Sequence, residues 1–178
     1  MTRKRILLKY LDLLALEGCR IRALEIGRMR DVTETVGHST LHIASHPAVR
    51  ELVSVDMSEA TERVCRTHIP PDALAKITFI NMPSTDWLAR ARREAVPLFD
   101  FAYIDGASDA QQCLVDVAGN LALLRSGGIM IQDDVDHRFD VKGDLTVPWL
   151  RGMPRAFHIL EEVPADDTSQ GQIVVRKA

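Results

Sequence analysis

Short apolar runs alternate with segments of helical periodicity along most of the chain. The runs predict five strands, at residues 21–27, 51–56, 76–80, 99–105 and 127–133. The segments with apolar positions three or four apart predict helices, at residues 4–17, 38–46, 84–94 and 108–124, with another beginning after Ser58. Strands separated by helices form βαβ units, so this pattern predicts a parallel sheet covered by helices on both faces.

The last part of the chain has a different pattern. Residues 155–160 and 172–176 are strand-like, and the polar loop between them is too short for a helical crossover. They predict an antiparallel pair that closes the sheet. We therefore expect residues 1–178 to form one α/β domain, with a doubly wound, mostly parallel seven-stranded sheet.

The first 20 residues are predicted to form an N-terminal helical segment. Its apolar stripe includes Leu7, Leu8, Leu11 and Leu14. Such a stripe either packs on the sheet or pairs with a second subunit, so a homodimer remains open.

Composition narrows the class of protein. The chain has 178 residues, 46% of them hydrophobic, and a formal net charge of −3. This balance excludes a disordered chain and a disulfide scaffold, and it predicts neither nucleic-acid nor membrane partners. No apolar run approaches the roughly 20 residues that span a bilayer. Three widely spaced cysteines fit no metal or disulfide framework and predict a reducing, cytoplasmic location.

Acidic residues stand at the ends of four predicted parallel strands. They are Glu25, Asp56, Asp105 and the pair Asp133 and Asp134. Each acid alone could simply cap the following helix. In open parallel sheets, however, ligands bind beyond the carboxyl ends of the strands, where these acids should converge. Carboxylates are costly to bring together unless they bind a ligand or a cation, so the four strand ends together predict a binding site.

Asp56 stands where an acid can accept hydrogen bonds from ribose hydroxyls, as in dinucleotide-binding folds. The close glycine spacing of a pyrophosphate loop is missing, because Gly27 and Gly37 are ten residues apart. The sequence therefore favours a nucleoside ligand without phosphates over NAD or FAD.

Five motifs, in order, resemble class I S-adenosylmethionine-dependent methyltransferases, above all the small O-methyltransferases related to the catechol and caffeoyl-CoA enzymes. The motifs are 25–27 with 37–40, 53–56, 84–86, 99–106 and 124–135. The resemblance implies S-adenosylmethionine as cofactor and transfer of its methyl group to a hydroxyl of a small-molecule acceptor. By position, the implied cofactor-binding residues are Glu25, Gly27, Gly37, Ser39, Asp56, Ser84 and Asp105.

The resemblance also implies a divalent metal. In metal-dependent members, acids at the positions of Asp105, Asp133 and Asp134 hold Mg²⁺. An all-oxygen carboxylate site suits Mg²⁺ or another hard divalent cation. Such a metal would bind two neighbouring acceptor oxygens and lower the pKa of one hydroxyl.

Two departures from the family pattern bear on activity. Relative to the usual pattern of the family it resembles, the cofactor loop carries about six extra residues, including Arg28, Arg30 and Asp31. Relatives place a Lys or His where this chain has Ser108, and a serine without an activator is a poor base. Either His137 takes the part of general base, or the metal alone suffices, or the chain is not a methyltransferase in practice; of these, His137 is the expected substitute. The alternative function is a non-catalytic module of the same fold that binds S-adenosylmethionine or another nucleoside, or acts as a scaffold.

Overall fold

The computed structural model describes residues 3–30, 38–107, 109–136, 141–165 and 171–178. Within them, seven strands form a single sheet. The strands are β1 (Ile21–Ile26), β2 (Val49–Asp56), β3 (Ile77–Asn81), β4 (Phe99–Ile104), β5 (Leu124–Asp133), β6 (Phe157–Val163) and β7 (Gln172–Lys177).

Seven helices accompany these strands in the same described ranges. They are α1 (Arg3–Leu16), α2 (Ser39–Ser45), α3 (Glu59–His68), α4 (Pro71–Leu74), α5 (Ser84–Arg93), α6 (Ala110–Leu123) and α7 (Gly143–Arg151). The Ser58 side chain caps α3, accepting a hydrogen bond from the Thr61 N–H at 3.4 Å. None of the helices described is long and apolar enough to cross a membrane.

The sheet confirms the predicted fold class. Its strand order is β3-β2-β1-β4-β5-β7-β6, with parallel pairing from β3 to β5 and antiparallel pairing of β7 with both β5 and β6. The direction of winding reverses between β1 and β4. In doubly wound sheets a ligand crevice forms at this reversal, beyond the carboxyl ends of the strands.

Alternate residues of each strand bury opposite faces of the sheet. On β1, Ala23 belongs to the core beneath α1 and α2, whereas Leu24 belongs to the core beneath α5 and α6. Helix α1 therefore packs on the sheet, through a stripe that the structure buries: Ile6, Leu7, Tyr10, Leu11 and Leu14. Leu8 of the predicted stripe packs at its edge.

Several predicted boundaries were wrong, among them the start of β5, and the helices α4 and α7 were not predicted. Strand β5 begins at Leu124 rather than at residue 127, because Leu124 pairs with Phe99 and the strand continues through an irregularity. Helix α7 was not predicted, since Pro148 lies inside it and proline removes a backbone donor and favours helix ends.

Candidate functional site

A cavity of about 520 Å³ lies at the carboxyl ends of β1 to β4. We call it the strand-end cavity. Its lining includes Gly27 after β1, Asp56 at the end of β2, Ser84 at the start of α5 and Gly106 after β4. These are the turns at which the sequence predicts a ligand, so the structure brings the predicted residues to one edge of the sheet.

Two backbone N–H groups hold the Asp56 carboxylate. The Arg28 N–H donates to Oδ2 at 2.9 Å, and the Ser58 N–H donates to Oδ1 at 2.8 Å. A carboxylate can accept about four hydrogen bonds, so two acceptor positions remain for a ligand in the cavity. That arrangement suits the two neighbouring hydroxyls of a ribose.

Gly27 lets the β1 turn approach the β4 turn closely. Its φ is +86°, and a Cβ added there would lie 2.5 Å from the Asp105 carbonyl oxygen. Only glycine fits this conformation and this contact without strain. Gly27 thus sets both the floor of the cavity and the position of Asp105.

Glu25 is fully buried, and its carboxylate binds other side chains of the protein. Its carboxylate accepts hydrogen bonds from the hydroxyls of Ser39 and Ser54, each at 2.7 Å, and from that of Thr40 at 2.9 Å. These bonds fasten the start of α2 to β1 and β2. The predicted ligands Glu25 and Ser39 therefore bind each other, and their roles toward a cofactor stay predictions.

The Glu25 network makes stability depend on pH. Burial raises the pKa of Glu25 from 4.5 to about 7, against the lowering effect of the three hydroxyl donors. The folded chain therefore binds this proton more tightly than the unfolded chain, and the free energy of unfolding falls as pH rises between these values. The loss amounts to roughly 3 kcal/mol.

We expect Glu25→Gln to remove this part of the pH dependence. The measurement is the free energy of unfolding by urea at several pH values between about 4 and 8, which bracket the pKa of Glu25 in the unfolded and folded chain. The difference between the wild type and Glu25→Gln isolates Glu25 from the other buried acids. Parallel curves for the two chains would contradict a titrating Glu25.

Ser84 belongs to a polar cluster with two residues of α6. Its hydroxyl donates to Asp116 Oδ1 at 2.6 Å, and the Gln112 side chain donates to the same oxygen at 2.9 Å. Asp116 is only 1% exposed, and its Oδ2 has no hydrogen-bond partner among the described residues. All three residues line the strand-end cavity, so a ligand N–H group is the natural donor to Asp116.

The two arginines that follow β1 in the cofactor loop take different positions. The Arg28 guanidinium is buried against β2 and β3. It donates to the Ser54 carbonyl oxygen at 2.8 Å, and its Cζ lies 4.8 Å from the centre of the Phe79 ring. These buried contacts hold Arg28 against β2 and β3. Arg30 lines the strand-end cavity.

Asp105, Asp133 and Asp134 lie together at the ends of β4 and β5, and we call them the acid cluster. Lys142, the residue before α7, bridges two of them: its Nζ is 3.0 Å from Asp105 Oδ1 and 2.9 Å from Asp134 Oδ2. The Arg3 guanidinium from α1 pairs with Asp134 and lies 3.2 Å from Asp133 Oδ2. Two cationic side chains thus occupy the oxygens that the sequence assigns to a metal.

This arrangement does not fit a divalent cation. In the ranges that the structure covers, no group of three or more His, Cys, Asp or Glu side chains is arranged to hold a metal. The carboxylate oxygens instead face an ammonium and a guanidinium group. Mg²⁺ therefore remains a prediction from the sequence.

Burial raises the pKa of the carboxyl groups of Asp105 and Asp133, and the neighbouring acids add to it. Lys142 and Arg3 act in the opposite direction, favouring the ionised carboxylates. Asp133 also accepts a hydrogen bond from the Tyr103 hydroxyl at 2.6 Å. Lys142 and Arg3 thus offset the free-energy cost of burying charged carboxylates at this edge of the sheet.

Four residues singled out in the sequence lie outside the described residues. They are Asp31 and Gly37 of the cofactor loop, Ser108 and the expected base His137. Their roles stay predictions.

Four functional residues were missed by sequence reasoning: Arg3, Gln112, Asp116 and Lys142. No motif contains Arg3 or Lys142, and Arg3 is 131 positions from its partner Asp134. The sequence held one indication of the two α6 residues: Gln112 and Asp116 are four residues apart, which places them on one face of the helix.

Solved structures of three methyltransferases share the fold over almost the entire chain. An O-methyltransferase from Bacillus cereus, in complex with SAH, is 21% identical with a TM-score of 0.72, over 98% of this chain and 80% of that one. TomG from Streptomyces achromogenes, an O-methyltransferase of tomaymycin synthesis in complex with SAM, is 18% identical with a TM-score of 0.72, over 98% and 78%. The N-methyltransferase NodS from Bradyrhizobium japonicum WM9 is 18% identical with a TM-score of 0.62, over 98% and 93%.

The strand order and the cavity at the reversal of winding are those of a Rossmann-like methyltransferase fold. The family model described as "Methyltransferase domain" matches residues 35–135, more than half of the chain. The chain therefore belongs to the methyltransferase-domain family. A comparison with curated proteins found no match.

Proposed function

We propose that this methyltransferase uses S-adenosylmethionine and transfers its methyl group to a hydroxyl of a small molecule. The observation that carries the proposal is the strand-end cavity, with Asp56 held by two backbone N–H groups at its β2 side. The solved structures of the same fold in complex with SAH and SAM support the choice of cofactor.

The cavity offers each part of a nucleoside a matching surface. Asp56 supplies acceptors for the ribose hydroxyls. Met57 is 74% exposed although apolar, and with Met82 it lines the cavity beside Asp56, where an adenine ring would cover it. Asp116 supplies a buried acceptor for the adenine amino group.

S-adenosylmethionine supplies a methyl group on a positively charged sulfur. The chain's own contribution is to bind and orient, which accounts for much of the rate of such transfers. Asp105 follows β4 directly and its neighbours Gly106 and Ala107 line the cavity, so the acid cluster adjoins the cofactor's place. We place the acceptor at that junction, between the strand-end cavity and the acid cluster.

We expect Asp116→Asn to weaken binding of S-adenosylhomocysteine by roughly tenfold, the value of one hydrogen bond to a charged acceptor. The substitution keeps an oxygen for Ser84 but replaces the unpartnered acceptor by an N–H donor, which would face the adenine amino group. Titration calorimetry measures the change in affinity. Asp109→Asn is the matched control, because Asp109 also lines the cavity but its side chain caps α6. An unchanged affinity in Asp116→Asn would remove Asp116 from the binding site.

Transfer of a labelled methyl group from S-adenosylmethionine tests the proposal as a whole. The acceptor panel should contain catechols, simple phenols, aliphatic diols and primary amines, because this fold serves both O- and N-methyltransferases. Labelled product from hydroxyl acceptors supports the proposal. Product from amines alone would overturn the hydroxyl assignment, and cofactor binding without any product would favour the non-catalytic module.

The remaining expectations stay proposals. They are a cytoplasmic location, a small-molecule acceptor, the lack of nucleic-acid and membrane partners, and a homodimer. In the part of the chain that the structure describes, the three cysteines form no disulfide, which supports a reducing compartment.

A further inference from the structure

The acid cluster is nearly neutralised from within the chain. Three carboxylates face the ammonium of Lys142 and the guanidinium of Arg3, at distances typical of direct ion pairs. Both cations come from outside the strands, one from the segment before α7 and one from α1. These two cations offset two of the three carboxylate charges without any added ion.

Close packing fixes Lys142 in this place. A Cβ on the next residue, Gly143, would lie 2.0 Å from the Val135 carbonyl oxygen, so only glycine lets the start of α7 approach β5 so closely. The Lys142 carbonyl accepts hydrogen bonds from Gln132 at 3.4 Å and Thr146 at 3.2 Å. These contacts hold the backbone of Lys142 beside the end of β5, and the ion pairs place its ammonium among the acids.

Lys142 also has little access to water, since it is only 6% exposed. An ammonium buried without a partner is strongly destabilising, so its two carboxylate partners hold it. Asp134 in turn adopts a φ of +55°, which is unusual for a residue other than glycine and directs its side chain into this cluster. The backbone therefore constrains both partners of the ion pair between Lys142 and Asp134.

We infer that Lys142 and Arg3 are resident cations, occupying the place that the family resemblance gives to a divalent metal, so that the wild-type acid cluster binds no divalent ion. A metal would have to displace the ammonium from Asp105 and Asp134. The displaced lysine would then lose its ion pairs with Asp105 and Asp134 at a buried position, which opposes metal entry. The inference adds to the proposed function, since it describes the acceptor side of the same site, but metal binding can be measured without any methyl transfer.

Mn²⁺ alone is the probe, and bound Mn²⁺ is counted by electron paramagnetic resonance. The test variant is Lys142→Met, which keeps the length of the side chain and removes its charge. Its matched control is Lys177→Met, because the Lys177 ammonium binds only the carbonyl oxygens of Leu121 and Leu124 in the described structure. We expect Lys142→Met to bind Mn²⁺ at least about tenfold more tightly than the wild type, since unpaired carboxylates attract a divalent cation strongly, and Lys177→Met to behave as the wild type.

Equal Mn²⁺ affinity in the wild type and Lys142→Met, or weaker binding in the variant, would overturn the inference. A second measurement uses the wild type, so its result does not depend on whether a variant folds. We expect its thermal midpoint to be the same in EDTA and in excess Mg²⁺. One bound Mn²⁺ in the wild type that Asp105→Asn abolishes would overturn the inference, whereas failure of the proposed function would appear instead as loss of S-adenosylhomocysteine binding.

Discussion

Asp56→Ala is expected to weaken binding of S-adenosylhomocysteine on the order of 100-fold, because two charge-assisted hydrogen bonds to the ribose contribute about 3 kcal/mol. The carboxylate accepts from two backbone N–H groups, of Arg28 and Ser58, and keeps two acceptor positions toward the cavity. Alanine supplies none of these. The loss should appear in affinity while the fold, which does not depend on this one side chain, is retained.

Titration calorimetry measures this effect directly. Asp72→Ala is the control, since Asp72 lies exposed on α4, outside the cavity lining. Circular dichroism should show equal helix content in both variants. An Asp56→Ala affinity within about threefold of the wild type, less than one ordinary hydrogen bond is worth, would contradict the role of Asp56.

Gly27→Ala is expected to be the most damaging small substitution for the fold. Its left-handed φ costs a side chain about 1 kcal/mol, and the contact of the added Cβ with the Asp105 carbonyl costs about 2 kcal/mol more. For a chain of this size the thermal midpoint should fall by roughly 10 °C. Because the β1 turn must also move away from β4, binding of S-adenosylhomocysteine should be lost.

Gly18→Ala separates the two causes. Gly18 follows α1 with a similar φ, +82°, but a Cβ there would meet nothing within 4 Å. We expect Gly18→Ala to lower the thermal midpoint by only about 3 °C, from backbone conformation alone, and to leave binding intact. Equal midpoints for the two variants would show that the contact with Asp105 carries no energy.

The fold could be predicted from the sequence because its signals are local. Each strand is an apolar run, and the acid at its end follows directly, so the convergence of Asp56, Asp105 and Asp133 needs only the rule for parallel sheets. Helix α7 was missed for an equally local reason, since Pro148 interrupts its pattern.

The site could be predicted only in part because its contacts are not local. Arg3 reaches the acid cluster from the other end of the chain, and Lys142 reaches it through a glycine packed against β5. Sequence position also cannot distinguish a carboxylate that faces a ligand from one that holds neighbouring hydroxyls. Glu25 and Asp56 end adjacent strands, yet only Asp56 lines the cavity in the described structure.

The most direct test of the account is calorimetric titration of the wild-type protein with S-adenosylhomocysteine, with and without Mg²⁺. We expect one binding site per chain, with the same affinity in both conditions, since Lys142 and Arg3 already pair with the acid cluster. The absence of binding in both conditions would contradict the assignment of this cavity to S-adenosylmethionine.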